Sequence, residues 1–145
     1  MPIAYKPGER PGVLYLAAPY SHPDPAVRAA RADLASQCAA WLTARGHRVI
    51  SPLSMGHAMT LAARQIRVEL PTDFYHWRHV CLRMLEGCEG LAVLLLAGVR
   101  ESAGVAAELA RARALGMPCS QLRLTSPEEA AAGAPFAVVA SPRWW

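Results

Sequence analysis

The residues best suited to chemistry follow the most continuous apolar stretch of the chain, in the segment from Gly98 to Glu108. Ser102 is placed to cap a helix there, so its hydroxyl would lie beside the free backbone N–H groups of residues 103–105. Gly104 would let a ligand approach that backbone closely. A helix N-terminus also favours a nearby anion by roughly 0.3–1 kcal/mol. The segment therefore predicts a phosphate-binding site.

Glu108 lies six residues after Ser102, among small and apolar residues. A carboxylate on an alanine-rich, core-facing helix has no evident packing role, so Glu108 is a candidate functional residue. An isolated glutamate titrates near roughly pH 4.3, so we expect an anion at neutral pH. The alternative is a surface glutamate that pairs with Arg111, three residues further along the helix.

Two further segments place polar groups where predicted strands end. Tyr15 and Tyr20 flank the small residues at 17 and 18, which leave room above the sheet, although Tyr15 could equally be an ordinary packed strand residue. His57 follows the second strand and is a candidate ligand or acid, or else a structural or solvent-facing histidine. In the aromatic segment that comes next, Asp73 could simply cap a helix.

The hydrophobic pattern alternates strands with helices, which predicts one α/β domain. We expect a doubly wound, Rossmann-like parallel sheet of four or five strands with helices on both faces. Ligands bind such sheets at the carboxyl ends of the strands, which selects the loops 17–24, 51–57 and 97–105. Residues 1–11 are predicted to be a loose lead-in, and 54–57 a loop. Strands are expected at 12–18, 47–51, 90–96, 117–124 and 136–140, and helices at 25–45, 58–67, 73–87 and 103–115, with a helix or turn at 127–132.

Composition narrows the class of protein. A chain of 145 residues fits a single domain. It has no apolar run near the ~20 residues of a membrane span and no apolar leader, so we expect a cytoplasmic protein without a membrane partner. The formal charge of +4 comes from scattered arginines, which makes nucleic acid an unlikely partner. The cysteines are expected to be reduced core or pocket residues rather than metal ligands, and they are Cys38, Cys81, Cys88 and Cys119.

Five short motifs occur in order over residues 13–122. They are Tyr-Leu-Ala-Ala-Pro-Tyr at 15–20, Gly46…Ser51-Pro52, Leu85-x-x-Cys88-Glu89, Ser102-x-Gly-Val-x-x-Glu108 and Ala112-x-Ala-Leu-Gly-Met-Pro118. Their order resembles the nucleoside 2-deoxyribosyltransferase-like superfamily, and most closely small bacterial and phage members of its nucleotide N-hydrolase-like branch.

The resemblance implies specific roles. Glu108 would attack the anomeric carbon of a nucleoside and displace the base, and Tyr15 would orient its carboxylate. Transferases that act on free nucleosides carry aspartate at the position of Ser102, whereas nucleotide hydrolases carry serine, which binds the 5′-phosphate. The candidate substrate- and phosphate-binding residues are therefore Ser102, Gly104, Val105, Ala17, Pro19, Tyr20 and His57.

The sequence also departs from that superfamily. Cys81 stands where an acidic residue is usual, and Glu89 replaces an aspartate at the start of the third strand. Asp73, His76 or His79 could supply the missing acid or orienting group. The loop 97–101 is longer than in the compact hydrolases. No metal and no organic cofactor are expected.

These observations predict N-glycosidic cleavage of a nucleoside 5′-monophosphate, by hydrolysis or by deoxyribosyl transfer; the base and the sugar stay open. The alternative is a non-catalytic nucleotide-binding or signal-sensing module that lost catalysis at Cys81. A phosphoribohydrolase of the cytokinin-activating type is disfavoured because its glycine-rich signature is absent.

The superfamily is typically oligomeric, so a homodimer or tetramer is expected. In it, the tail that ends in Trp144 and Trp145 would cover a partner subunit, with Ser141 or Arg143 reaching the partner's phosphate site. The alternative is a tail folded back on its own chain.

Overall fold

The structure, a computed structural model, describes residues 12–71 and 74–145. The predicted lead-in at 1–11 and the candidate Asp73 lie outside these residues. Strands and helices alternate along most of the chain, as predicted. The strands are β1 (Val13–Ala17), β2 (Arg48–Ile50), β3 (Gly90–Leu95), β4 (Cys119–Leu124) and β5 (Phe136–Val138), and the helices are α1 (Pro25–Ala44), α2 (Pro52–Gln65), α3 (Phe74–Glu86), α4 (Ala103–Ala114) and α5 (Pro127–Ala131).

The five strands form one sheet in the order β2-β1-β3-β4-β5. The first four are parallel, but β5 runs antiparallel to β4, with Leu122 opposite Val138. The expectation of a wholly parallel sheet is therefore wrong at this edge. A parallel return needs a crossover of about a dozen residues or more. The β4–β5 connection contains only the short helix α5, so the chain turns back beside β4.

Side chains that alternate along the strands build a core on each face of the sheet. One core contains Leu14 and Leu16 and is covered by α1. The other contains Tyr15 and Ala17 and is covered by α3 and α4, with Val105 at its centre. Helices therefore cover both faces, which confirms the doubly wound architecture. All four cysteines are free thiols in or beside these cores.

The first residues of α1 and α2 are determined by a capping residue and by prolines at the first helical position. Asp24 caps α1, since its Oδ1 accepts from the Ala26 N–H at 2.9 Å, and Pro25 is the first helical residue, as predicted. Proline at 52 starts α2 in the same way. The prediction of a loop at 54–57 and a helix from 58 is therefore wrong, and His57 lies on a helix. A single glycine at 56 costs too little to delay the helix.

The C-terminal tail packs on its own chain. Trp144 contacts the core beneath α4, and the Arg113 guanidinium lies 5.4 Å from the centre of its ring. The Gln121 amide donates to the Arg143 carbonyl at 3.0 Å. Ser141 and Arg143 line a cavity of about 430 Å³ in their own subunit. This packing corresponds to the alternative of a tail folded back on its own chain, while a homo-oligomer stays a prediction.

Within the described part of the chain, no helix has both the length and the apolar character needed to cross a bilayer.

Candidate active site

A cavity of about 860 Å³ opens at the carboxyl ends of the parallel strands, and residues of all three segments that the sheet geometry selected, 17–24, 51–57 and 97–105, line it. It brings together much of the predicted site. The predicted residues that line it are Tyr15, Pro19, Tyr20, Cys81, Ser102, Gly104 and Glu108. Several others do not reach the wall of this cavity, namely Ala17, His57, His76, His79 and Val105.

Glu108 is buried in the wall of the cavity and is only 7% exposed. It shares the inner face of α4 with Val105, Leu109 and Ala112, because helical spacing points all four toward the sheet. Residues 12–71 and 74–145 place no cation within ion-pair distance of its carboxylate. Arg111 instead pairs with Glu86 at 2.8 Å, so the alternative of a Glu108–Arg111 surface pair is wrong.

Burial changes the ionisation of Glu108. It raises the pKa of this carboxyl to about 7, because a carboxylate removed from water loses solvation. The nearby Tyr15 hydroxyl acts in the opposite direction and lowers that pKa. The expectation that Glu108 is fully ionised at neutral pH is therefore wrong, since both protonation states are populated there.

Tyr15 is fully buried beneath the cavity, and its hydroxyl faces Glu108 and Cys81. Burial and then the charge of Glu108 raise the pKa of this phenol far above its ordinary value, so it stays neutral. The hydroxyl is close enough to influence both neighbours, but no described atom meets it with the distance and angle of a hydrogen bond. It therefore keeps a donor that a bound molecule or a small shift of Glu108 could engage.

Cys81 on α3 completes this group. Burial and the charge of Glu108 raise the pKa of its thiol to about 11, although Tyr15 lowers it. The thiol is therefore neutral near pH 7 and is a much weaker acid than the carboxyl that the resemblance implies at this position. Trp77 lies one helical turn before Cys81 and lines the same cavity.

His76 and His79 are not positioned to act as the acid. Tyr75, Trp77 and Cys81 line the cavity from α3, but neither His76 nor His79 does. Both histidines are exposed, and the ring of His76 meets the edge of Trp77 with 5.2 Å between ring centres. The prediction that they replace the missing acid is wrong for this arrangement.

Ser102 caps α4, as the sequence predicts. Its Oγ accepts from the Val105 N–H at 3.2 Å, which leaves the hydroxyl proton free to donate to an anion. The same bond occupies the Val105 N–H, so Val105 is a packing residue and not a phosphate donor. The backbone of Ala103 and Gly104 lines the cavity and belongs to the first turn, where N–H groups lack helical partners.

His57 reaches the site through Tyr20. Its Nδ1 lies 3.0 Å from the Tyr20 hydroxyl, and the two rings meet edge to face. Tyr20 lines the cavity, whereas His57 lies behind it on α2. The pair can therefore pass a proton between solvent and the cavity, which His57 could not do alone.

Sequence reasoning missed Arg31, which lines the cavity from α1. Its guanidinium donates to the carbonyls of Tyr20, Ser21 and Ala97, in the loops after β1 and β3. A signal was present, because Arg31 precedes the buried residues Ala35 and Cys38 by four and seven positions. An arginine on the apolar face of a helix indicates a specific partner.

Among the residues that the structure describes, no group of three histidine, cysteine or acidic side chains is arranged to hold a metal ion.

Residues 12–123 match the family model described as a domain of unknown function, DUF1937. The chain belongs to this family. The matched segment runs from the start of β1 to the end of β4 and contains every residue that lines the cavity, whereas β5 and the tail follow it. A comparison with curated proteins finds no match. Neither result bears on the resemblance to nucleoside 2-deoxyribosyltransferases, which stays a prediction.

Proposed function

We propose that this cavity binds a nucleoside 5′-monophosphate and cleaves its N-glycosidic bond, with Glu108 as the nucleophile. One observation carries the proposal. Glu108 is a buried carboxyl without an ion-pair partner among the described residues, and it lines a cavity that also contains the capped N-terminus of α4. Burying a carboxylate without a cation is costly, and such groups concentrate where their reactivity is used.

The chemistry follows from these groups. In its ionised form, an oxygen of Glu108 forms a bond to the anomeric carbon while the bond from that carbon to the base breaks. The base leaves with the electron pair and takes up a proton. Water then hydrolyses the glycosyl ester, or a second base accepts the sugar. The transition state resembles an oxocarbenium ion, which a nearby carboxylate stabilises.

The other residues that line the cavity offer contacts for the phosphate and the base of a nucleotide. The Ser102 hydroxyl and the backbone N–H groups of Ala103 and Gly104 are placed to hold a phosphate at the start of α4. Tyr20 and Trp77 offer aromatic surface for a base. A volume of about 860 Å³ lies within the range of roughly 300–1,000 Å³ that is usual for small-molecule sites.

The departing base needs a proton donor, and Cys81 is too weak an acid for this role because the pKa of its thiol is raised to about 11. The Tyr20–His57 pair is better placed. The acid of this pair is a protonated His57, whose Nδ1 lies 3.0 Å from the Tyr20 hydroxyl. As that hydroxyl passes its proton to the base, it takes up the proton of the imidazolium, so no phenolate forms.

A second candidate function is supported by the same cysteine. With a neutral thiol beside Tyr15 and Glu108, the residues that the structure describes place one carboxyl at the buried end of the cavity. A nucleotide-binding module that signals occupancy without turnover would need no second acid there.

The deciding experiment is to incubate the protein with the common nucleoside 5′-monophosphates and their nucleosides, and to measure free base by chromatography. Release of base that disappears in Glu108→Gln supports the enzyme. Tight binding of a monophosphate without any release favours the sensor. Turnover that survives in Glu108→Gln contradicts the assignment of Glu108 as nucleophile.

A further inference from the structure

Arg31 connects two loops that both line the cavity. Its Nη1 donates to the Ser21 carbonyl at 3.0 Å and to the Tyr20 carbonyl at 3.4 Å, in the loop after β1. Its Nη2 donates to the Ala97 carbonyl at 2.9 Å, in the loop after β3. One side chain thus holds together segments that lie far apart in the sequence, and Ser102 belongs to the second of them.

Gly98 shows how closely the guanidinium is seated. A Cβ at position 98 would lie 2.6 Å from Nη2 of Arg31, well inside van der Waals contact. The residue also has a φ of +86°, which favours glycine. The second loop is therefore shaped around the guanidinium.

The charge of Arg31 is not balanced locally. All three of its acceptors are neutral carbonyls, and the described residues place no carboxylate within ion-pair distance. By contrast, Arg111 and Arg123 each have a glutamate partner. Two carboxyl groups line the same cavity, namely Glu101, which is exposed and screened by water, and the buried Glu108.

We infer that Arg31 selects an anionic ligand for this cavity: it fixes both loops through their carbonyls, and its free charge attracts the phosphate of a nucleotide. This inference rests on the proposed function and deepens it. A guanidinium that has spent part of its donors on the protein still forms charge-assisted bonds with its remaining N–H groups. Lysine keeps the charge but cannot reproduce the planar fork that reaches both loops.

The test compares the affinity for a 5′-monophosphate with the affinity for the same nucleoside. Calorimetry with the four deoxynucleosides and their monophosphates gives this ratio, and inorganic phosphate serves as a probe without sugar or base. In Arg31→Met the preference for the monophosphate should fall by about 10–100-fold, as expected for the loss of a charged hydrogen-bond partner. Arg31→Lys should keep part of the preference for the monophosphate, because lysine keeps the charge.

Arg28→Met is the matched control. Arg28 lies on the same helix and donates to the His22 and Pro23 carbonyls, but it does not line the cavity or reach the loop after β3. Its loss should leave the ratio unchanged. Equal weakening of nucleoside and monophosphate in Arg31→Met would show that Arg31 only holds the loops, and would overturn the inference.

Two measurements decide the matter if Arg31→Met does not fold. Gly98→Ala pushes the guanidinium aside while Arg31 stays present, so it should lower the same ratio; an unchanged ratio in both Gly98→Ala and Arg31→Lys contradicts the inference. In the wild-type protein, added NaCl should weaken the binding of monophosphates but not of nucleosides. A preference that does not depend on salt also overturns it.

The outcome is separable from that of the proposed function. Loss of phosphate preference in Arg31→Met, in a protein that releases no base, supports the inference and refutes the glycosidase. Release of base from free nucleosides, with no preference for monophosphates in the wild type, supports glycosidic cleavage and refutes the inference.

Discussion

Tyr15 of β1 and Glu108 of α4 meet beneath the cavity, and each changes the ionisation of the other. The hydroxyl lowers the pKa of the carboxyl, and the carboxylate raises the pKa of the phenol. Because burial raises the pKa of Glu108 to about 7, this contact acts in the pH range where the carboxyl titrates. A single hydroxyl can thus change how much of the proposed nucleophile is ionised at neutral pH.

Turnover should rise with pH through about 7 as Glu108 ionises. In Tyr15→Phe the hydroxyl that lowers the pKa of Glu108 is gone, so the rising limb should move to higher pH. The measurement is kcat/KM for base release between about pH 5 and 9. An unchanged profile in Tyr15→Phe would contradict the coupling of these two groups.

Stability should depend on pH in the direction set by Glu108. Its pKa is about 7 in the folded protein and 4.5 as the ordinary value, so the folded state binds this proton more tightly. The contribution is fully present below about pH 4.5 and is lost as pH rises through 7, by about 3 kcal/mol in total. Glu108→Gln removes the titrating group, so it should unfold at higher denaturant concentration than wild type at pH 8.

Glu86→Gln is the control for that experiment. Glu86 is about one-third exposed and pairs with Arg111 on the surface, so its loss should change stability little and should keep the wild-type trend with pH. If Glu108→Gln loses stability between pH 5 and 8 as steeply as wild type does, Glu108 is not the group responsible.

Ser102→Ala should weaken the binding of monophosphates more than that of nucleosides, by roughly 0.5–2 kcal/mol, because it removes both a donor and a helix cap. Ser126→Ala removes an equivalent cap from α5, away from the cavity, where Oγ accepts from the Glu129 N–H at 3.2 Å. Calorimetry on both variants separates phosphate binding from capping. Equal losses for both ligand classes would exclude a phosphate role for Ser102.

Cys81→Asp should move the rising limb of the pH profile to higher pH. The new carboxylate would lie beside Glu108, and like charges disfavour the ionised form. Cys81→Ser, which stays neutral, is the control and should leave the profile close to wild type. A profile that is the same in both variants would mean that residue 81 does not face Glu108 in solution.

Deletion of the chain after Ala140 should lower the melting temperature, because Trp144 packs on the core beneath α4. It should leave the number of subunits, measured by sedimentation, unchanged, since the tail contacts its own chain. Dissociation of the truncated protein into fewer subunits would instead place the tail at a subunit interface. The full-length mass tests the predicted homo-oligomer directly.

The sequence predicted the parts of the fold that depend on local pattern. Asp24-Pro25 marked the start of α1, and the apolar run at 90–96 marked the central strand. The direction of β5 was missed because it depends on how far α5 can carry the chain, which the hydrophobic pattern does not record. The start of α2 was missed because Pro52 was read as the end of a strand rather than as the first residue of a helix.

In the candidate site, too, some features could be predicted from the sequence and others depend on the fold. Ser102 and Glu108 could be found because a cap and a carboxylate among alanines are visible in the sequence. The two protonation states of Glu108 near neutral pH could not be found, since they depend on burial by strands and helices distant in the chain. Arg31 could have been noticed from its place on the apolar face of α1, but its contacts could not, because its acceptors are backbone carbonyls, which any sequence provides.

The short distance between Gly98 and the Arg31 guanidinium limits which residues can occur together at positions 98 and 31 in this family. An alanine at position 98 and an arginine at position 31 compete for the same space, with only 2.6 Å between the added carbon and Nη2. A larger residue at position 98 should therefore occur with a shorter or displaced side chain at 31. Loss of Arg31 alone does not require Gly98 to change, because its φ of +86° favours glycine in any case. Relatives with both replacements would lack the Arg31 hydrogen bonds between the loops after β1 and β3, and would need other contacts to hold these loops together.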